Sequence, residues 1–262
     1  MNAYVILDYQ PQRLKPRSAP QWLRIVALLL FVFGLDSGLS SAVFAADKAK
    51  PFITSADLDL SQYLPPPSAN DSLQTKNELA ELLKLQLLRT PEMEARAKAD
   101  ADENIWRFAD VMGPKFKQES LPNFSAFFER VIRTEGAVVD PSKEKWNRLR
   151  PYQLSELVKP AVPLSKSGSY PSGHGTVGTM MGIVLANMVP ERRAEIMARA
   201  WEFGENRIIG GVHYRSDVEA ARISGMLIAA EMMKRSEFKA AFEPAKKELR
   251  NALGLPAESS NN

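Results

Sequence analysis

From Leu73 onward apolar residues return every three or four positions with charged residues between them, and the alternation that marks strands is hard to find. The first such stretch sets Leu79, Leu82, Leu83 and Leu87 on one face, with Lys76, Glu78, Glu81 and Lys84 filling in. A second helix is expected after Pro91, running toward Met112 and bringing in Trp106, Phe108 and Ala109. Phe124, Phe127, Phe128, Val131 and Ile132 mark a third. Residues 136–170 are mixed and rich in proline and read as loops, with a short helix around 153–158. Better-marked helices follow. One opens at Ser172–Gly173 and runs through "TVGTMMGIVLANMV"; the next starts at Pro190 and stops before Gly210–Gly211. Another begins near Ser216, where "SDVE" matches a capping box, and carries Val218, Ala221, Gly225, Ile228 and Met232 as one stripe. The last, about 236–253, carries Phe238, Phe242 and Leu249. The pattern predicts an all-α fold, a single helical bundle domain over 73–254, with 255–262 a frayed tail.

Ahead of Leu73 the pattern changes. Residues 46–72 form a proline-rich N-terminal segment, in which "YLPPPSANDS", 63–72, is a stiff connector poor in hydrogen bonds. Residues 1–45 read as a signal peptide. Arg13, Lys15, Arg17 and Arg24 give a basic start, and "IVALLLFVFGL", 25–35, is an apolar run of 11, short for a bilayer span. In "SSAVFAAD", Val43 and Ala45 hold the two small-residue positions before a cut, so cleavage is expected near Ala45. That makes the protein periplasmic or secreted, with no stable membrane association after cleavage. A short anchor that stays attached is the competing reading, opposed by Asp36 and the Ser/Gly run behind it.

Composition then narrows the chemistry. Of 262 residues, 45% are hydrophobic and 25% charged, which allows a sizeable core. There is no cysteine, so disulfides and thiolate metal sites are excluded. The net charge of +3 reflects 34 basic and 31 acidic residues; residues 1–45 hold four of the former and two of the latter, leaving 30 against 29, or +1. No nucleic-acid surface is expected from that balance.

Only two histidines occur in the chain, and the surroundings of both point to an anion. The first lies in "SYPSGHGT", 169–176. A helix start exposes unpaired N–H groups and the positive end of the dipole, Gly173 allows close approach, and Ser172 either caps the helix or donates to an oxyanion. His174 then falls in the first turn; taken alone, a capped helix with a satisfied histidine explains the stretch as well. The second lies in "ENRIIGGVHYRSDVEAAR", 205–222, where Asp217 follows His213 by four residues. A carboxylate there accepts from one ring nitrogen and leaves the other unprotonated and nucleophilic; helix-start chemistry is the plainer alternative. In "KEKWNRLRPYQ", 143–153, Lys143 and Arg150 are two helical turns apart and share a side if the segment is helical, or else form a solvated basic face. Together, two histidines, one aspartate, three cations (with Arg207) and a glycine-opened helix end are what transfer of a dianionic phosphoryl group needs.

The three blocks resemble the signature of the acid phosphatase and vanadium haloperoxidase superfamily, the type 2 phosphatidic acid phosphatase-like (PAP2) proteins. Lys143-x6-Arg150-Pro151, Pro171-Ser172-Gly173-His174 and Arg207-x5-His213-x3-Asp217 match it in spacing and order. The leader, the proline-rich connector and "SDVEAAR" look like the class A bacterial non-specific acid phosphatases, with a resemblance covering most of 55–245, patchily before 140. It implies an exported acid phosphatase that hydrolyses phosphate monoesters broadly through a phosphohistidine, with phosphotransfer as a side reaction. In that family's terms the catalytic residues are His213 as nucleophile, Asp217 orienting it, and His174 as general acid. Lys143, Arg150 and Arg207, with Ser172 and the Gly173 N–H, would hold the phosphate. The resemblance implies no metal, no cofactor and a homo-oligomer such as a dimer; activity on the acid side of neutral is expected because His174 must be protonated while His213 stays a nucleophile. The alternatives it leaves are an apyrase-like nucleotide diphosphohydrolase and a vanadium-dependent haloperoxidase. Four positions depart from the family: Asn206 replaces a serine, Gly175 a common threonine, and Gly210 and Tyr214 stand where cysteine and tryptophan are frequent.

Overall fold

The computed structural model describes residues 49–256. The expected signal peptide and cleavage point, 1–45, and the tail from 257 lie outside them. Among the described residues the elements are helical, without a strand. They are α1 (Leu73–Leu88), α2 (Pro91–Ala99), α3 (Ala109–Met112), α4 (Pro122–Trp146), α5 (Pro151–Leu154), α6 (Gly173–Met188), α7 (Arg193–Ile209), α8 (Arg215–Lys234) and α9 (Ser236–Leu253), with short 3-10 turns at Leu60–Gln62, Ile105–Phe108, Gln118–Ser120 and Pro190–Arg192. No described helix is long and apolar enough to cross a membrane.

α6 is the axis, packed chiefly against α7 and α8 with α4 on a third side. It is buried nearly all round, as its apolar composition requires. Close packing depends on glycine. A Cβ on Gly178 would lie 2.8 Å from Phe203 Cβ, and one on Gly182 would lie 2.5 Å from Ala200 Cβ. Gly182→Val is therefore expected to cost about 1–3 kcal/mol by forcing α6 and α7 apart, read as a lower midpoint in urea denaturation.

Several helices differ from expectation for identifiable reasons. The inward face of α1 is Thr75, Glu78 and Leu82, not the leucine stripe. Leu87 is exposed, because α1 turns its polar face toward a buried arginine, Arg148. The helix after Pro91 ends at Ala99, not Met112. There Asp100 is drawn inside by Arg199, and Asn104 starts a new turn by accepting the Trp106 N–H at 2.8 Å. The stretch 136–170 is less loop-like than its prolines suggest, since α4 continues to Trp146 through Pro141. A proline frees the carbonyl four residues back. Here that group, Ala137 O, accepts the Ser55 N–H at 3.0 Å, so the N-terminal segment repairs the helix. The short helix lies at 151–154. The capping box of α8 sits two residues earlier than "SDVE" suggests: Tyr214 is the cap and Asp217 accepts its N–H at 2.9 Å.

The segment 49–72 is irregular as expected but contributes Phe52, Ile53, Leu58, Leu60 and Leu64 to the core. Phe52 wedges between Phe127 of α4 and Phe238 of α9, ring centroids 5.6 and 5.1 Å away.

Candidate active site

A cavity of about 790 Å³ opens where the C-terminal ends of α4 and α7 meet the N-terminus of α6. Lys143, Arg150, Gly173, His174, Arg207 and His213 all line it. Each arrives by a local backbone decision. Lys143 is in the last turn of α4, which Asn147 ends in the left-handed region (φ 42°). The chain then runs extended to Arg150, the N-cap of α5. The two cations therefore meet across this reversal and not along one helix face. Arg207 closes α7, and His213 sits in the loop before α8. Ser172 caps α6, its hydroxyl accepting the Gly175 N–H at 3.3 Å; it does not line the cavity, whereas Gly173 does.

His213 is almost fully buried and held at both ring nitrogens. Nδ1 lies 3.3 Å from Asp217 Oδ2 and 3.4 Å from Ser169 Oγ. Asp217 Oδ2 also accepts from the Ser169 hydroxyl at 2.5 Å and the Tyr214 N–H. Its other oxygen accepts from Arg148 Nη1 at 2.7 Å. An ionised carboxylate only accepts, so Nδ1 carries the hydrogen and Nε2 a lone pair. Arg150 Nη1, 3.1 Å from Nε2, fits as donor to that lone pair. Burial, then the charges of Arg150 and Lys143, hold the ring's pKa well below the usual imidazole range, so His213 is neutral.

Arg150 is anchored to the carbonyls of Val212, Ser167 and Gly168. Arg207 is different. It is buried, yet its Nε and Nη1 have no hydrogen-bond partner among the described residues. Burial and the Arg150 charge lower its pKa to about 10. Lys143 donates to the Gly168 carbonyl at 3.3 Å, and burial and Arg150 bring it down to about 8. Such a cluster of unpaired cations is costly without a compensating anion.

His174 faces a loop. Its Nε2 is 3.0 Å from the Ala101 carbonyl and Nδ1 is 3.0 Å from Glu103 Oε1. Burial and Arg207 hold its pKa down to about 3. Burial first, and then the cations around it, disfavour the imidazolium expected at this position.

Comparisons with known proteins place the chain in a family. Residues 130–240 match the model of the PAP2 superfamily. A non-specific acid phosphatase of Providencia stuartii is 32% identical over 239 residues, 84% of this chain and 96% of that one. The corresponding protein of Salmonella typhimurium is 32% identical over 80% of this chain and 88% of its own. An acid phosphatase of Zymomonas mobilis is 32% identical over 89% of this chain and 91% of its own. The chain belongs to the bacterial non-specific acid phosphatases of the PAP2 superfamily. A solved bacterial vanadium-dependent iodoperoxidase aligns at a TM-score of 0.49 and 19% identity over 65% of this chain and 51% of that one, too loose a likeness to argue from.

Within this acid phosphatase framework the four departures acquire physical readings. Asn206, in place of serine, donates to buried Asp100 at 2.7 Å. Gly175 is needed because a Cβ there would lie 2.9 Å from that of Ala221. Tyr214 stacks under the Arg148 guanidinium at 4.1 Å. Gly210 fits against Val162, whose methyls would lie 3.0–3.1 Å from a Cβ there. Sequence reasoning missed five polar residues that line the cavity or brace the side chains around it: Arg148, Ser169, Glu78, Glu103 and Glu135. Arg148 and Ser169 stand inside or beside the motif blocks and were within reach. The three glutamates come from segments whose only local signal is ordinary helix or loop polarity.

Proposed function

We propose that the protein is an exported acid phosphatase that hydrolyses phosphate monoesters of varied structure through a phosphohistidine on His213. The observation that supports this most directly is the buried Arg207 guanidinium, two of whose nitrogens are unpartnered beside Lys143, Arg150 and the opening turn of α6. A dianionic phosphoryl group satisfies these donors together with the Gly173 N–H. Binding draws the Arg150 N–H from His213 Nε2 to a phosphoryl oxygen and frees the lone pair to attack phosphorus, while His174 protonates the leaving oxygen. Water then cleaves the P–N bond, and an alcohol in its place gives phosphotransfer. Assembly as a homodimer belongs to the same reading and is checked by light scattering.

A panel of phosphate monoesters and ATP, assayed with and without vanadate and chelator, tests the assignment. The expected result is chelator-insensitive monoester hydrolysis blocked by vanadate. Conversion of ATP to ADP without monoesterase activity, or bromide oxidation with peroxide and vanadate as the main reaction, overturns it.

The alkaline limit follows from Glu135, buried between Lys143, Glu103 and Asp140. Burial, above all, pushes its carboxyl up to about 8. Below that pH, Glu135 is neutral and Lys143 charged; above it, the cavity loses positive or gains negative charge, and either change weakens phosphate binding. The kcat/KM is expected to fall as pH rises through about 8, and less steeply in Glu135→Gln. Stability shifts too. Between about 4.5 and 8 the folded state binds the Glu135 proton and the unfolded state does not, so stability declines as pH rises across that window. Glu135→Gln removes the decline and is expected to gain about 1–2 kcal/mol at pH 8 but little at pH 4.5, measured by thermal melts.

A further inference from the structure

The contacts of His174 assign its hydrogens. A backbone carbonyl only accepts, so Nε2, facing Ala101 O, carries one. One more proton lies between Nδ1 and Glu103 Oε1, 3.0 Å apart. It sits either on the ring, giving an imidazolium beside a carboxylate, or on Glu103, giving two neutral groups. Lys143, Arg150 and Arg207 share this cavity and oppose a charged ring. Burial, assisted by Asp140 and Asp102 and opposed by Arg207 and Lys143, raises the Glu103 carboxyl. Both effects place the proton on Glu103.

The loop carrying these contacts is firmly held. Asp100, at its start, is buried and paired with Arg199 and Asn206. Asn104, at its end, caps the next turn. Ala101 and Glu103 are thus presented to the ring from a fixed support, although Glu103 itself is only partly buried.

We propose that Glu103 is the positioning and proton-storing partner of His174, acting through the imidazole in both halves of the reaction. The inference rests on the reading of His174 as general acid. As the His213 Nε2–phosphorus bond forms and the bond to the leaving oxygen breaks, the Nε2 hydrogen of His174 exchanges the Ala101 carbonyl for that oxygen and passes to it. The Glu103 hydrogen moves to Nδ1 in the same step. The alcohol leaves neutral, the ring stays neutral with its hydrogen on Nδ1, and Glu103 becomes a carboxylate. In the second half, water attacks phosphorus and gives a proton to His174 Nε2, the Nδ1 hydrogen returns to Glu103, and the P–N bond breaks. The His174 ring thus never becomes an imidazolium among the three cations in either half.

The test is the leaving-group dependence of Glu103→Gln, whose amide donates to Nδ1 without giving up a proton. With an alkyl phosphate, whose alkoxide needs a proton to depart, kcat is expected to fall about 100-fold, within the range of general-acid effects. With 4-nitrophenyl phosphate, whose phenolate leaves unprotonated, the loss should be only a few fold. Glu103→Ala should show the same split, and added acetic acid should restore part of the alkyl activity. Equal losses on both substrates, or no loss on the alkyl ester, overturn the proposal. His174→Ala separates the two levels. If it lacks the split, the general-acid reading fails; if it shows the split and Glu103→Gln does not, only the role of Glu103 fails.

Discussion

His213→Ala is expected to lose turnover of 4-nitrophenyl phosphate by at least about 10⁴-fold, the scale seen when a nucleophile is removed. The size of the effect follows from how completely the ring is committed. Asp217, Ser169 and the Tyr214 N–H fix the Nδ1 side, and Nε2 faces Arg150 at 3.1 Å in a residue that lines the cation-rich cavity. Burial, then Arg150, holds its pKa well below the usual imidazole range, which favours a free lone pair. The other histidine is spent on Ala101 and Glu103 and does not substitute. Brief reaction with a ³²P-labelled ester followed by alkaline denaturation should trap acid-labile label on the parent and none on the variant. Added imidazole should return some turnover to His213→Gly. Label retained in His213→Ala, or unaltered turnover, excludes this histidine as nucleophile.

Arg148→Met is expected to be the most destabilising single change around the site. The residue is 4% exposed, and its guanidinium bridges Asp217 at 2.7 Å and Glu78 at 2.9 Å and donates to Ser216 and Thr75. Methionine fills similar volume but leaves two carboxylates without their cation, and breaking a buried pair in this way costs about 3–5 kcal/mol. In a domain of this size that lowers Tm by roughly 10 °C. Glu78→Gln in the same background removes one orphaned charge and should recover part of the loss. Full stability of Arg148→Met would show that Asp217 does not depend on this ion pair.

How much of this was visible in the chain depends on the kind of signal. The helices after Ser172 were legible because proline, glycine and serine mark their ends and their apolar stripes are continuous; α9 spans the expected 236–253. The residues facing the cavity were legible because three short blocks preserve their spacing. The middle of the chain was not. Pro141 is a breaker by local rules, yet the Ser55 N–H, 82 residues before the Ala137 carbonyl that the proline frees, compensates it. Conversely Asp100 ends α2 through Arg199, 99 residues on. Lys143 and Arg150 reach one cavity by a left-handed Asn147, which no helical register would reveal. Glu78 lay on what read as the solvent face of α1, because its partner Arg148 is visible only in three dimensions.

The attachment of Ser55 to α4 limits how far this end of the chain can be trimmed. A processing cut near Ala45 spares the wedge formed by Phe52 and the donor at Ser55. A cut ten residues later would strip the proline-bearing helix of its external support and uncover the aromatic seam between α4 and α9. Trimming from this end and folding of the helical body are therefore coupled through a handful of residues, and proteases that nibble it should stall before Phe52.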